Sequence, residues 1–344
     1  VAKLKSTKSI IQFIILLSIG VLLIWLSLKQ VESEKENIIG AFKNANYFWV
    51  VISLLISWFS HFLRAYRWNY LLKPTGHGIK IINSNCHVMV GYLANYGIPR
   101  MGEISRCTLA AKYDNIPFEV ALGTVITERI IDFILFIVIA ILTFLLQFNE
   151  LIGLANHYIL SPLASKLNSS YENPVKLLFF LALILIFVIF LFVFRKKIKN
   201  GLKGKLGGVF KGMTEGLSSV SKMNKPFEFI FLSILIWVCY FYSLYTCFFA
   251  LSGTAHLGHK ECLTLLIFGT LGVIFSPGGL GAYPAIVGGI LLLTYNVDKV
   301  SSFALPWLSW ASQFVLILVL GLVSLVVLPI YNRNNNVVSS TTEE

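Results

Sequence analysis

Six predominantly apolar runs, roughly 10–28, 47–72, 117–146, 175–194, 227–251 and 302–330, constrain this chain more than any other feature. Each is close to or above the roughly 20 residues that an α-helix needs to cross about 30 Å of hydrocarbon. Inside that layer no water satisfies backbone N–H and C=O groups, so only helices and closed barrels can span it. Barrel strands alternate apolar and polar residues over about ten positions, whereas these runs are continuous. The expected fold class is an all-α polytopic membrane protein. The composition agrees, since 56% of the 344 residues are hydrophobic and only 13% are charged, about half the charged share of a soluble domain. A soluble enzyme, a disordered chain, a coiled coil and a disulfide-stapled secreted domain are all excluded. The first run follows Lys3, Lys5 and Lys8 and lacks an A-x-A cleavage site, so it reads as a membrane helix and not as a signal peptide.

Two further apolar stretches, roughly 81–112 and 262–296, are interrupted by glycine and proline. The first break contains Asn95, Gly97 and Pro99. The second contains Pro277, Gly278, Gly279 and Gly281, followed by Pro284. Each half is too short to cross a bilayer alone. Both stretches are therefore expected to be re-entrant helical hairpins, with their turns held where protein or a wet cavity satisfies the backbone. Pro99 and Pro284 suit the first turn of the returning arms, where a missing N–H costs nothing. A plain tight turn also accounts for the second break.

The chain has 28 Lys+Arg against 16 Asp+Glu, a formal net charge of +12. In a membrane protein this excess points to cytoplasmic loops and anionic lipid and not to nucleic acid. Basic residues are densest in the 195–226 loop, where Glu215 is the sole acid before Lys225. That loop is expected to be cytoplasmic, and counting back places the N-terminus and the C-terminus on the same side. The order span, span, hairpin, span then occurs twice with opposite orientation. We read 1–146 as a first membrane repeat, 147–174 as an outer connection, 175–330 as a second repeat and 331–344 as a polar tail. Inverted repeats with broken helices recur among membrane transporters, although any eight apolar segments can be divided four and four.

Ionisable residues at membrane depth are costly and mark function by default. Arg100, Glu103 and Arg106 recur every third residue behind the first break and share a broad helix face. With the free N–H groups of a helix start they form a net-positive seat for phosphate or carboxylate. A self-satisfied ion cluster that pins the hairpin is the competing reading. Glu128, Arg129 and Asp132 occupy one arc of the third span and must face the protein interior, where pairing with Arg100, Arg106 or Arg64 and Arg67 from neighbouring helices alone explains them. Arg64 and Arg67 close the second span beside Trp68. They read first as snorkelling arginines in an aromatic belt, and second as collectors of anionic headgroups.

The remaining residues carry less. His256 and His259 are three apart without further ligands nearby, and Cys86, Cys107, Cys239, Cys247 and Cys262 form no CxxC pair. Neither a metal site nor a cofactor is expected. No nucleophile–base constellation stands out, so the chain is not expected to be an enzyme. The stretch Ile198 to Met223 is amphipathic and suited to lie along the inner leaflet.

Four strings occur in order: Arg64-x-x-Arg67-Trp68-x-x-Leu71-Leu72, Pro99-x-x-Gly102-Glu103-x-x-Arg106, Glu128-Arg129-x-x-Asp132 and Pro277-Gly278-Gly279-Leu280-Gly281. Together they resemble the flippase-like family built on the transmembrane region of lysylphosphatidylglycerol synthase, over about residues 8 to 330. The resemblance implies movement of a modified phospholipid between leaflets of the plasma membrane. The full synthase continues into a soluble domain that transfers lysine from tRNA to lipid. This sequence lacks that segment, so synthase activity is not expected. Family members often carry an acid just after the second turn, where this chain has Tyr283 and Pro284.

The leading expectation is a lipid translocase. Arg100, Arg106 and Arg129 hold a lipid phosphate, Glu103, Glu128 and Asp132 balance them or meet a cationic headgroup, and membrane lipid, an anionic phospholipid above all, is the partner. The alternatives are a transporter of a small anionic solute or a polyprenyl-phosphate-linked intermediate, and a membrane-embedded lipid transferase with Glu128 as its base.

Overall fold

The computed structural model describes residues 31–98, 101–148 and 225–333, with Met223, Ile152 and several positions between Ser18 and Lys29. The expected span 175–194, nearly all of the basic loop, the outer connection and the tail, and the residues Pro99 and Arg100 lie outside this set. Among the described residues every regular element is helical. A short helix α1 (Lys35–Lys43) precedes α2 (Tyr47–Leu72). Next come α3 (Ile81–Gly97), α4 (Met101–Asp114) and α5 (Phe118–Leu146). After the undescribed middle follow α6 (Pro226–Phe248), α7 (His259–Phe275), α8 (Ala282–Leu293) and α9 (Lys299–Tyr331).

Local sequence sets the helix starts. The Asn46 side chain accepts the Phe48 N–H at the start of α2, and Asp298 accepts the Ser301 N–H at the start of α9. Each cap satisfies one of the four N–H groups a helix start leaves free. Pro226 opens α6, where its missing donor is harmless.

Four described helices, α2, α5, α6 and α9, are long and apolar enough to cross a membrane. On α5, Val138, Leu142 and Leu145 are exposed, and on α9 so are Val319, Leu322 and Val326. Such outward apolar surface belongs in lipid and not in water. The chain is an all-helical membrane protein.

Packing between helices relies on small and polar residues, as it must where lipid competes for apolar contact. At the crossing of α2 and α6, Ser53 Oγ donates to the Ser243 carbonyl at 2.7 Å, and Ser243 Oγ returns a bond to the Ser53 carbonyl at 3.0 Å. The helix pair α3–α4 packs onto α9, and the pair α7–α8 packs onto α5 through α7. The main apolar core gathers Trp237, Phe248, Leu265, Leu291 and Leu305 from α6 to α9.

The two interrupted stretches meet. The second forms a tight turn at Pro277–Gly279, with Gly278, Gly279 and Gly281 at positive φ. Trp310 Nε1 of α9 donates to the Gly278 carbonyl at 2.8 Å, and the Tyr96 ring near the end of α3 lies directly against Gly278. Gly281 touches Gly20, one of the described positions of the first apolar run.

Candidate functional site

The polar face of α2 places Arg64 and Arg67 one turn apart. Both point inward and are buried. Across from them α5 presents Glu128, which has no exposed surface, and Asp132 one turn later. Arg64 Nη1 lies 2.7 Å from both Glu128 Oε1 and Asp132 Oδ2. Arg67 Nη1 is 2.8 Å from Asp132 Oδ1 and also donates to Ser233 Oγ of α6 at 2.8 Å. From α4, Arg106 approaches Glu128 with both terminal nitrogens, at 3.2 Å and 3.0 Å. A two-pronged guanidinium–carboxylate pair of this kind fixes orientation as well as charge. Arg129 adds a fourth arginine, with Nη2 at 3.6 Å from Glu128 Oε1.

The reading of Arg64 and Arg67 as snorkelling arginines is corrected here. Both are held by the carboxylates of α5, and Trp68 is wholly buried instead of lying in an interfacial belt. The Trp68 ring stacks on the Arg106 guanidinium at 3.9 Å, and its Nε1 donates to Thr124 Oγ1 at 2.9 Å. Once buried, these arginines depend on the carboxylates, because a buried charge left without its partner is strongly destabilising.

Arg129 differs from the other three. Its side chain is 42% exposed, and its Nε stands 3.8 Å from Glu103 Oε1. The inner side of Glu128 and Asp132 is already filled by arginines from α2 and α4, so Arg129 turns away towards α4. Glu103 faces Arg129 across the α4–α5 seam. Its other oxygen, Oε2, is buried without a hydrogen-bond partner among the described residues. Together the four arginines and the carboxylates of Glu103, Glu128 and Asp132 leave one net positive charge.

Arg129, Glu103 and Arg106 line a narrow cavity with Tyr92 and Asn95 of α3. Its volume is about 10 Å³, room for roughly one water. Asn95 Oδ1 accepts the Gly102 N–H at 2.8 Å, so a side chain of one arm caps the start of the other. Gly91 and Gly102 face each other so closely that a Cβ on Gly102 would strike the Gly91 carbonyl. This contact is what draws the two arms together at the cavity.

Of the residues singled out in the sequence, the structure gathers Arg64, Arg67, Arg106, Glu128, Arg129, Asp132 and Glu103 in one place. Asn95 joins them at the cavity wall, while Gly97 ends α3 beside it. Arg100 and Pro99 lie outside the described residues. Sequence reasoning missed Ser233 and Tyr240 of α6, whose hydroxyl accepts from Arg64 Nη2 at 3.0 Å. Single hydroxyls in an apolar run carry no signal of their own. Tyr283, where relatives of the resembled family often have an acid, is part-buried and its hydroxyl lies 3.2 Å from Ser309 Oγ.

Among the described residues no group of three or more His, Cys, Asp or Glu side chains could hold a metal ion. The five cysteines are buried and free.

Comparison with known proteins agrees with this picture. A UPF0104 membrane protein of Methanocaldococcus jannaschii is 29% identical over 138 residues, which is 39% of this chain and 39% of that protein. The chain thus aligns with well under half the length of that relative. No solved structure matches it. The family profile of the lysylphosphatidylglycerol synthase transmembrane region matches residues 10–321, and the chain belongs to that family.

Proposed function

We propose that the chain is an integral-membrane lipid translocase that moves an anionic phospholipid, or a modified one, between leaflets. The observation that carries this reading is the half-exposed Arg129–Glu103 pair on the wall of a narrow cavity, backed by a buried network with one net positive charge. Arg64, Arg67 and Arg106 are committed to Glu128 and Asp132. Arg129 is the described arginine of the cluster with surface to offer a lipid phosphate. Because acyl chains can stay in the bilayer, only a headgroup needs a polar path.

In this reading α3–α4 and α7–α8 are re-entrant, and six spans complete two inverted repeats. The reciprocal packing supports it: α2 lies against α6, the first helix pair lies against α9 of the second half, and α7 lies against α5 of the first. Basic residues favour cytoplasmic termini in the plasma membrane. Rocking of one repeat against the other would open the cavity, which in the described shape is too small for a headgroup. A transferase is disfavoured because Glu128, the carboxylate weighed as its base, is surrounded by four arginines.

The test is liposome-reconstituted protein with fluorescent phospholipid and external bleaching. Arg129→Ala is expected to slow lipid movement at least about tenfold. A variant as fast as the parent would remove the site assignment, and a parent that moves no lipid would remove the translocase reading.

A further inference from the structure

The base of the first helix pair holds a histidine and a carboxylate that the ionic network does not use. His87 of α3 is fully buried, and Asp114 ends α4. His87 Nε2 stands 3.6 Å from Asp114 Oδ2. Neither of these atoms, nor His87 Nδ1, has a hydrogen-bond partner among the described residues. A charge-assisted bond between such groups closes to about 2.7–2.9 Å, so the pair stops short of one.

The surroundings hold both groups in place. Asn83 Nδ2 donates to Asp114 Oδ1 at 2.8 Å and to Asn332 Oδ1, at the end of α9, at 3.0 Å. Asn332 Nδ2 returns a bond to Asn83 Oδ1 at 2.9 Å. The His87 ring lies between Trp68 of α2 and Tyr113 of α4, with centroids 6.3 Å and 6.4 Å away. Arg106 of α4 is the charge that acts on His87, and Lys80, just before α3, acts on Asp114. The facing residues of α2 and α9, Trp68 and Asn332, do not titrate. Burial pushes the Asp114 carboxyl up to about 6, against the opposing effects of the Asn83 hydrogen bond and Lys80.

A proton is the ligand that fits this gap. No further His, Cys, Asp or Glu among the described residues joins the pair in a group able to hold a metal ion, and a metal held by two ligands would be incomplete. We propose that His87 and Asp114 form a single-proton site at the base of the first helix pair, read by the ionic network through Trp68 and by the last helix through Asn83. The proton leaves a solvent hydronium, bonds to Asp114 Oδ2 and is donated in a hydrogen bond to His87 Nε2, and no other bond breaks. Protonation converts an open gap into a carboxyl–imidazole hydrogen bond that draws α3 and α4 together. Trp68 contacts His87 on one side and stacks on Arg106 on the other, and Arg106 holds Glu128. The proton site and the charged cluster therefore share one side chain. Only the step from this proton to lipid movement rests on the translocase reading.

The test is tryptophan emission of the purified protein in nanodiscs, titrated from about pH 4.5 to about pH 8, because closing the gap to Asp114 moves the His87 ring against which Trp68 stands. The parent should show a one-proton step near about pH 6, and His87→Gln, Asp114→Asn and Trp68→Phe should each lack it. Size-exclusion profiles establish which variants fold. For any that do not, nitrogen NMR of the parent must show an imidazole nitrogen gaining a hydrogen bond in the same range. A step that persists in folded His87→Gln, or a parent with neither signal, overturns the proposal. Lipid movement is measured on the same samples. A step without lipid movement keeps the proton site and removes the translocase reading, and lipid movement without a step does the reverse.

Discussion

The Tyr96 ring occupies the space in which a Cβ on Gly278 would stand, so the end of α3 and the turn before α8 touch with nothing between them. Gly278 also sits at φ +57, a left-handed conformation that costs an L-residue about 1–2 kcal/mol. Gly278→Ala therefore meets two penalties, one of conformation and one of contact. Thermal unfolding in detergent should show a loss of about 2–4 kcal/mol. Adding Tyr96→Ala should restore the contact part alone. Full recovery in the double variant would mean that backbone conformation contributes nothing.

Glu128 is the hub of the buried network, and its loss strands several guanidinium groups at once. Glu128→Gln should destabilise the protein by about 3–5 kcal/mol, the usual result of breaking a buried pair from one side. Arg106→Gln in the same chain should recover part of that loss, because the remaining charges are closer to balance. Midpoints of thermal aggregation for the two single variants and the double variant measure this coupling. Simple additivity would show that Arg106 and Glu128 do not act as a pair.

Arg129 and Glu103 should behave in the opposite way. Their ion pair is long and half exposed, and such pairs contribute about 0–1 kcal/mol. Arg129→Ala and Glu103→Gln should fold with nearly the parent's thermal midpoint while Arg129→Ala slows lipid movement. A large stability loss in either variant would place the residue in the structural network instead.

Asp114 gives the fold a pH dependence whose sign follows from its environment. Its folded pKa, about 6, lies above the ordinary 3.8, so the folded state binds a proton more readily than the unfolded state. The stabilisation is complete below about pH 3.8 and is lost as pH rises through about 6. Asp114→Asn, neutral throughout, should melt above the parent at about pH 7.5 and converge with it towards about pH 4. A constant difference across that range would exclude titration of Asp114 as the cause.

Much of this molecule was legible from the chain alone, for reasons that differ by residue. Long apolar runs announce α2, α5, α6 and α9 because bilayer thickness sets their length. The glycines at 278, 279 and 281 announced a turn because few other residues tolerate positive φ. The helical spacing of Glu128 and Asp132 placed both on the buried face they occupy. Spacing could not say which arginines meet them, since that depends on how helices distant in sequence pack. Arg64 and Arg67 were therefore candidates both for the membrane edge and for pairing with Glu128 and Asp132, and only the packing of α5 beside α2 decides for the second. Ser233 and Tyr240 were illegible for the same reason, and so was the gap between His87 and Asp114.

The hub at Glu128 also bears on how the chain enters the bilayer. Arg64 and Arg67 sit in the last turns of the least apolar of the four long helices, and an arginine opposes insertion of a lone helix by about 2.5–3.5 kcal/mol at its centre and by less towards its ends. Their counter-ions arrive only with α5, 64 residues after Arg64 for Glu128 and 68 for Asp132. Until then the two arginines can be accommodated only by reaching for the interface, so α2 takes up its final depth and rotation when α5 docks beside it.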